Sequence, residues 1–171
     1  MQTFMWTDDW GLTQRMAYEH YEAMTRVMTE HEFVPADGVV EWLTLLKEYQ
    51  VPCCVCAGTS LNRPMAEAAL QVAGLSPFFE AYTTAEDDCE TPLQTYLVSS
   101  IKLRRPPERC VVFEDDPKGV VAAHEASAKA VAIMGGASHG ADLRVADIRV
   151  GGFDDLTLMS LRNLFRDARA M

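Results

Sequence analysis

Short apolar runs alternate with helical patterns along most of this chain, and this alternation limits the fold more than any other feature. The segments 52–57 and 110–113 are apolar runs of strand length. Segments with helical periodicity follow them at 64–72 and 118–127. Strands and helices that alternate at this spacing predict an α/β fold, in which a mostly parallel sheet lies between two layers of helices.

The other predicted elements extend the same pattern to both ends of the chain. They are helices at 13–31, 39–50, 95–103 and 154–170, and strands at 78–83 and 130–134. Asp37 is the predicted N-cap of the helix that begins at Val39. The predicted organisation is an N-terminal helical segment at 1–34 followed by an α/β core at 35–171.

The overall charge and the apolar runs exclude two classes of partner. The 171 residues carry a formal net charge of -10, so the surface field repels nucleic-acid backbones, and no cluster of basic residues offsets it. Apolar runs such as 51–58 are far shorter than the roughly 20 residues that cross a bilayer. We therefore expect neither nucleic-acid binding nor direct membrane insertion.

The five cysteines are predicted to be buried, reduced thiols. Cys53 and Cys56 have CxxC spacing, but their surroundings are typical of a strand interior and not of the turn that a metal or redox site requires. Core packing is therefore the favoured interpretation, and metal binding is the alternative. An intracellular, reducing compartment follows from this interpretation.

Three consecutive carboxylates, Glu114, Asp115 and Asp116, follow the apolar run 110–113. At the carboxyl end of a parallel strand, where ligands bind in such folds, they could hold Mg²⁺. Alternatively, Asp116 caps the next helix and its neighbours are solvated. The residues alone leave both interpretations open.

The order of these features resembles the haloacid dehalogenase-like (HAD-like) phosphatases of the phosphoglucomutase and CbbY type. The resemblance is carried by CAGTS at 56–60, GLSPFF at 74–79, EDD at 86–88 and PERCVVFED at 107–115. The segment 122–133 is most similar to the plant and algal branch of plastid phosphatases. The resemblance implies a three-layer, Rossmann-like HAD core without a complete cap, the segment 1–34 being a cap remnant or docking helix, and it suggests a chloroplast location.

The resemblance also implies catalytic motifs that this sequence does not carry intact. The DxDGT nucleophile motif is absent; Asp8 is the nearest candidate nucleophile, but Trp10 replaces the general acid/base. The phosphate-binding Ser/Thr falls near residues 57–60, where Thr59 or Ser60 could substitute. Glu90 stands about where the family has a lysine that neutralises phosphate, which turns attraction into repulsion.

In this family the nucleophile strand lies between the strands that correspond here to 52–57 and 110–113, so the resemblance implies a gap at the centre of the sheet that something must fill.

The expected function is a catalytically degenerate HAD-like domain, a structural or interaction subunit of a larger plastid assembly. Its vestigial site is Thr59, Ser60, Glu114, Asp115 and Asp116, with at most weak Mg²⁺ binding. The alternative is a Mg²⁺-dependent phosphatase for a small phosphate ester whose nucleophile segment is missing from this sequence.

Overall fold

A computed structural model describes residues 8–30, 33–58, 61–135 and 142–166 of the chain. The helices are α1 (Trp10–Glu30), α2 (Val39–Glu48), α3 (Arg63–Val72), α4 (Pro92–Lys102), α5 (Pro117–Glu125) and α6 (Leu158–Asn163). The strands are β1 (Cys54–Cys56), β2 (Ala81–Thr83), β3 (Val111–Glu114), β4 (Lys129–Ile133) and β5 (Ile148–Val150). Strands alternate with helices from α2 onward, as the sequence pattern predicts.

The strands form two parallel sheets. β1 pairs with β2 in one sheet, and the order of the other is β3-β4-β5. Within the described residues, β1 and β3 each have a strand neighbour on one side alone. All four residues of β3 are only half-buried, whereas the three central residues of β4 are buried. The open edge of β3 therefore agrees with the predicted gap between the segments 52–57 and 110–113.

Two apolar clusters cover the two faces of the three-stranded sheet. Ala130 and Ala132 of β4 pack with α4 and α5, while Val131 packs on the opposite face with α2. This alternation follows from the pleat of a strand, which directs successive side chains to opposite faces. The result is a three-layer arrangement with β4 at its centre.

Helix α4 connects the two sheets. It contacts β1 and β2 on one side and α5 on the other. The helix begins at Pro92, three residues before the predicted start, because the Thr91 side chain accepts a hydrogen bond from the backbone N–H of Gln94 at 3.3 Å and proline is well suited to the first turn.

The predicted cap of α2 is wrong. The N-cap position is Gly38, with φ 76°, and no side chain caps the helix. A β-carbon at Gly38 would lie 2.1 Å from Asp154 Oδ1 and 2.7 Å from the backbone nitrogen of that residue. The close approach of Asp154 and the positive φ therefore require a glycine at this end of α2.

The C-terminal part of the chain also differs from the prediction. The predicted helix 154–170 is a 3₁₀ turn at Phe153–Asp155 followed by the short α6, with the capping residue Thr157 between them. Its predicted end at 167–170 lies outside the described residues, and β5 was not predicted as a strand. None of the helices that the structure describes is long and apolar enough to cross a membrane.

Candidate functional site

A cavity of about 200 Å³ lies at the carboxyl ends of β1 and β3. Its walls come from the residues after β1, the segment that leads into α4, and the junction of β3 with α5. The lining residues are Cys56, Ala57, Gly58, Cys89, Glu90, Thr91, Pro92, Thr95, Tyr96, Glu114, Asp116 and Gly119. This is the edge at which a parallel α/β sheet binds ligands, and we take it as the candidate site.

The carboxylate of Glu114 is held by groups of the protein. It accepts a hydrogen bond from the Tyr96 hydroxyl, and its second oxygen accepts from the backbone N–H groups of Asp115 and Asp116 at 3.2 and 3.4 Å. Burial and the neighbouring Glu114 carboxylate raise the pKa of Tyr96, so this hydroxyl stays protonated and remains a donor.

Gly119 makes room for this arrangement. A β-carbon at that position would lie 2.4 Å from the Glu114 carboxyl carbon and 2.6 Å from each of its oxygens. The small residue in the first turn of α5 therefore allows the glutamate side chain to turn toward Tyr96. This contact could not be predicted from the sequence, because Tyr96 and Glu114 are 18 positions apart.

Asp115 and Asp116 take different places beside Glu114. Asp116 is the N-cap of α5, and its Oδ1 accepts from the backbone N–H of Lys118 at 2.9 Å. Asp115 is not among the residues that line the cavity. Across the described ranges, no group of three or more His, Cys, Asp or Glu side chains is arranged to hold a metal ion. In this arrangement Glu114 and Asp116 accept hydrogen bonds from groups of the protein, and Mg²⁺ binding by Glu114, Asp115 and Asp116 stays a prediction.

Glu90 lines the cavity, as its place in the sequence predicted. It is exposed, and its backbone N–H donates to Gln94 Oε1 at 2.6 Å. With Glu114 and Asp116 it contributes three carboxyl groups to the lining, which includes no Lys, Arg or His among the residues the structure describes. The lysine that follows Glu90 in the chain, Lys102, donates instead to Asp87 at 2.6 Å and lies outside the lining.

The remaining predicted site residues are Thr59, Ser60 and Asp8. Thr59 and Ser60 lie outside the described residues, although Ala57 and Gly58 before them line the site. Asp8 is exposed, lies two positions before the start of α1 and does not line the cavity. The structure therefore gives no support to Asp8 as a nucleophile.

The predicted CxxC pair lies on opposite faces of β1. Cys53 packs in the apolar cluster with α2, where burial raises the pKa of its thiol to about 11. Cys56 is instead exposed at the cavity, with its sulfur 3.1 Å from Ser99 Oγ. Core packing is thus confirmed for Cys53, whereas Cys56 contradicts the prediction that these thiols are buried.

The family model described as hydrolase: haloacid dehalogenase-like hydrolase matches residues 7–127. The chain belongs to this family. The match covers most of the chain, including the cavity and the three carboxylates in its lining. The HAD-like fold class predicted from the sequence is therefore confirmed.

Two curated relatives of the HAD-like chain are phosphatases. The chloroplastic 5-amino-6-(5-phospho-D-ribitylamino)uracil phosphatase of Arabidopsis thaliana is 24% identical over 166 residues, covering 95% of this chain and 43% of the relative. Hexitol phosphatase A of Escherichia coli is 33% identical over 118 residues, covering 67% of this chain and 51% of the relative. The HAD-like chain thus spans about half the length of these relatives.

Solved structures of the family have the same fold. CbbY from Rhodobacter sphaeroides in complex with phosphate superposes with a TM-score of 0.76 at 23% identity, covering 86% of this chain and 68% of that one. The β-phosphoglucomutase of Clostridium difficile gives a TM-score of 0.75 at 19% identity, covering 95% and 71%. At these identities the likeness shows the fold alone.

Proposed function

We propose that this HAD-like chain neither binds nor transfers phosphoryl groups at its cavity, and that it serves as a structural or interaction subunit of a larger protein assembly. The observation that carries the proposal is the charge of the cavity lining, in which Glu90, Glu114 and Asp116 stand without a Lys, Arg or His among the described residues. A phosphate ester that entered this cavity would meet carboxylates at the position where the resemblance to HAD-like phosphatases implies a positive charge.

The backbone gives little compensation for these charges. Helix α5 begins at the cavity, and the partial positive charge of a helix N-terminus normally attracts an anion. Here the Asp116 carboxylate already occupies that end of the helix. The N-terminus of α4 is capped in the same way by the Thr91 side chain.

The proposed interaction surface is the exposed side of α1. This helix packs against α3, and Tyr21 accepts a hydrogen bond from Asn62 at 3.3 Å, but most of its residues are exposed. The exposed large apolar side chains are Trp10, Leu12, Met16, Tyr18, Tyr21 and Val27. Several such side chains on one helix are typical of a surface that docks another protein. The segment 1–34 would then be the docking unit of a plastid subunit.

A phosphatase is the second candidate function. The names of the two curated relatives favour it, because both act on small phosphate esters and one is chloroplastic. In this case the catalytic aspartate would come from a strand between β1 and β3 that is not part of this sequence, and Mg²⁺ would be needed. Glu114 and Asp116 would have to leave their present hydrogen bonds to bind that ion.

Hydrolysis assays separate the two candidates. We expect the full-length natural protein that contains this chain, supplied with Mg²⁺, to release phosphate from para-nitrophenyl phosphate and from a hexitol phosphate no faster than buffer does. The Asp115→Asn variant should give the same result, and the E. coli hexitol phosphatase A serves as a positive control. Turnover by the full-length wild-type protein that Asp115→Asn abolishes would establish the phosphatase.

The subunit role predicts that the protein migrates in native extracts with a mass well above 19.0 kDa, and that cross-linking captures defined partners. Met16→Ser and Tyr18→Ser on α1 should release it from the assembly, because they remove exposed apolar contact area without changing the core. Val121→Ser on α5 is the matched control, since Val121 is also exposed but lies on another helix. A monodisperse monomer in native extracts would contradict the subunit role.

A further inference from the structure

A second cavity, of about 1090 Å³, lies between α6 and the turn that precedes β3. Its lining includes three arginines, Arg109 from the 3₁₀ turn Pro107–Arg109, and Arg162 and Arg166 from α6 and the turn that follows this helix. Because Pro107–Arg109 leads into the first residue of β3, this cavity lies at the end of the sheet opposite the candidate site. We call it the α6 groove.

The spacing of residues along α6 brings two of these arginines to the groove. Met159 and Arg162 are three positions apart, and residues at this spacing share one face of a helix. Beyond α6 the backbone continues with hydrogen bonds between residues three positions apart. The Phe165 N–H donates to the Arg162 carbonyl oxygen at 3.3 Å, and the Arg166 N–H donates to that of Asn163 at 3.2 Å. Side chains three positions apart in such a turn are aligned, so Phe165 and Arg166 line the same groove as α6 does.

The α6 groove carries more cations than carboxylates. Among the residues that the structure describes, its lining contains Arg109, Arg162 and Arg166 against the single carboxylate of Glu108, and all four are exposed. None of the ion pairs between described residues involves these arginines. Arg166 Nη1 donates to Asn163 Oδ1 at 3.3 Å. A guanidinium group presents its donors in a planar fork that matches a carboxylate, so the lining suits carboxylates from outside the chain.

Apolar side chains lie between these charges. Met159, which is 59% exposed, and the half-buried Phe165 both line the groove. Pockets for drug-sized molecules have about 300–1,000 Å³, so this groove has room for several side chains of a partner. An inorganic anion would use the charges and leave the apolar surface uncovered. We propose that the α6 groove binds an acidic peptide segment of a partner protein, whose carboxylates pair with the arginines and whose apolar side chains pack on Met159 and Phe165.

The net charge of the chain does not exclude an acidic partner. The formal charge is -10, but at physiological salt the interaction between exposed charges more than about 8 Å apart is largely screened. A peptide in the groove therefore interacts mainly with the lining, where cations outnumber the carboxylate of Glu108. This inference goes beyond the proposed subunit role, because it names a partner chemistry and uses neither the lining of the candidate site nor α1.

The test is the fluorescence anisotropy of a labelled synthetic peptide of alternating glutamate and leucine, titrated with the full-length natural protein that contains this chain. We expect saturable binding that weakens as ionic strength rises. Arg109→Gln and Arg162→Gln, one from each wall of the groove, should each weaken binding about tenfold, because each removes a charged hydrogen-bond donor. Glu108→Gln should strengthen binding about twofold, because it removes a like charge. Arg149→Gln is the matched control, since Arg149 is exposed on β5 and does not line the groove.

Two further peptides test the two parts of the proposed recognition. A peptide with glutamine in place of glutamate should not bind, and one with serine in place of leucine should bind about tenfold more weakly, because it cannot cover the apolar side chains of the groove. Equal binding by either peptide would overturn the proposal. Unchanged affinity in Arg109→Gln and Arg162→Gln variants that circular dichroism shows to be folded would also overturn it.

Competition with a single-stranded oligonucleotide separates a peptide site from a nucleic-acid site. We expect the unlabelled acidic peptide to displace the labelled one, and the oligonucleotide to compete at least tenfold more weakly, since its bases do not match the small apolar surface between the arginines. Equal competition by the oligonucleotide would overturn the peptide site. Failure of the acidic peptide to bind would refute the groove as a docking site, while the subunit role of α1 depends on the separate measurements in native extracts.

Discussion

Trp42→Ala is expected to lower the free energy of unfolding by about 3–5 kcal/mol, the range observed when a buried tryptophan or phenylalanine is truncated. Trp42 is 4% exposed and belongs to the apolar cluster between α2 and the three-stranded sheet. Its ring meets Phe113 of β3 in an edge-on contact with centroids 6.4 Å apart, and Phe113 contacts Phe153 at 6.1 Å. The substitution leaves a cavity beside β3, a strand that already has one open edge.

Two further variants separate packing from other effects. The indole N–H of Trp42 is buried and has no hydrogen-bond partner within the described ranges, so Trp42→Phe removes an unsatisfied donor and should cost less than about 2 kcal/mol. Trp10→Ala, at a residue 72% exposed, should change stability by no more than about 0.5 kcal/mol. Urea unfolding followed by far-ultraviolet circular dichroism measures all three variants. A loss below 1 kcal/mol for Trp42→Ala would show that this cluster does not stabilise the fold as described.

The alternation of helices and strands could be predicted from the sequence because each element carries its own periodicity. Helix α1 and strand β4 lie within a few residues of their predicted bounds. β5 was missed because it has only three residues, Ile148 to Val150, one of which is an exposed arginine. The tail was predicted as a single helix because its apolar residues have helical spacing, but the Thr157 cap interrupts it.

The charge of the candidate site could also be predicted, since it depends on which residue stands at position 90. The hydrogen-bond partners of each carboxylate could not be predicted from the sequence. Whether Glu114 faces a ligand or a hydroxyl depends on Tyr96 and Gly119, which belong to two different helices. For Asp116, the structure agrees with the helix-cap interpretation that the sequence left open.

The faces on which the cysteines around β1 lie follow from the strand period. The CxxC spacing directed attention to Cys53 and Cys56, but in a strand these side chains point to opposite faces. The period of two instead places Cys54 and Cys56 on one face of the strand, and the sequence alone predicts this placement. The contact between Cys56 and Ser99 could not be predicted, because Ser99 belongs to α4 and lies 43 positions later in the chain.

The second large effect is expected from reversing the charge at position 90. Glu90→Lys places a cation among Glu114 and Asp116 where the wild-type chain has an anion. For an inorganic phosphate dianion about 5 Å away, Coulomb's law in water, reduced by salt, corresponds to an affinity gain on the order of a hundredfold. Glu90→Gln removes the charge without adding one and should give roughly a tenth of that gain.

Glu48→Lys is the matched control for net charge. Glu48 is exposed at the end of α2, and the chain then enters β1 at the strand end opposite the cavity. This variant has the same overall charge as Glu90→Lys but leaves the cavity lining unchanged. It should behave as the wild-type chain does, and the gain of Glu90→Lys should shrink as ionic strength rises, because salt screens exposed charges.

The most direct measurement of the anionic cavity is therefore a titration of the folded chain with inorganic phosphate, followed by the amide chemical shifts of Gly58, Glu90 and Gly119. We predict no saturable change in these shifts for the wild-type chain or Glu48→Lys, and saturable changes at all three residues for Glu90→Lys. Saturable binding of phosphate by the wild-type chain at this cavity, unaffected by Glu90→Lys, would contradict the account.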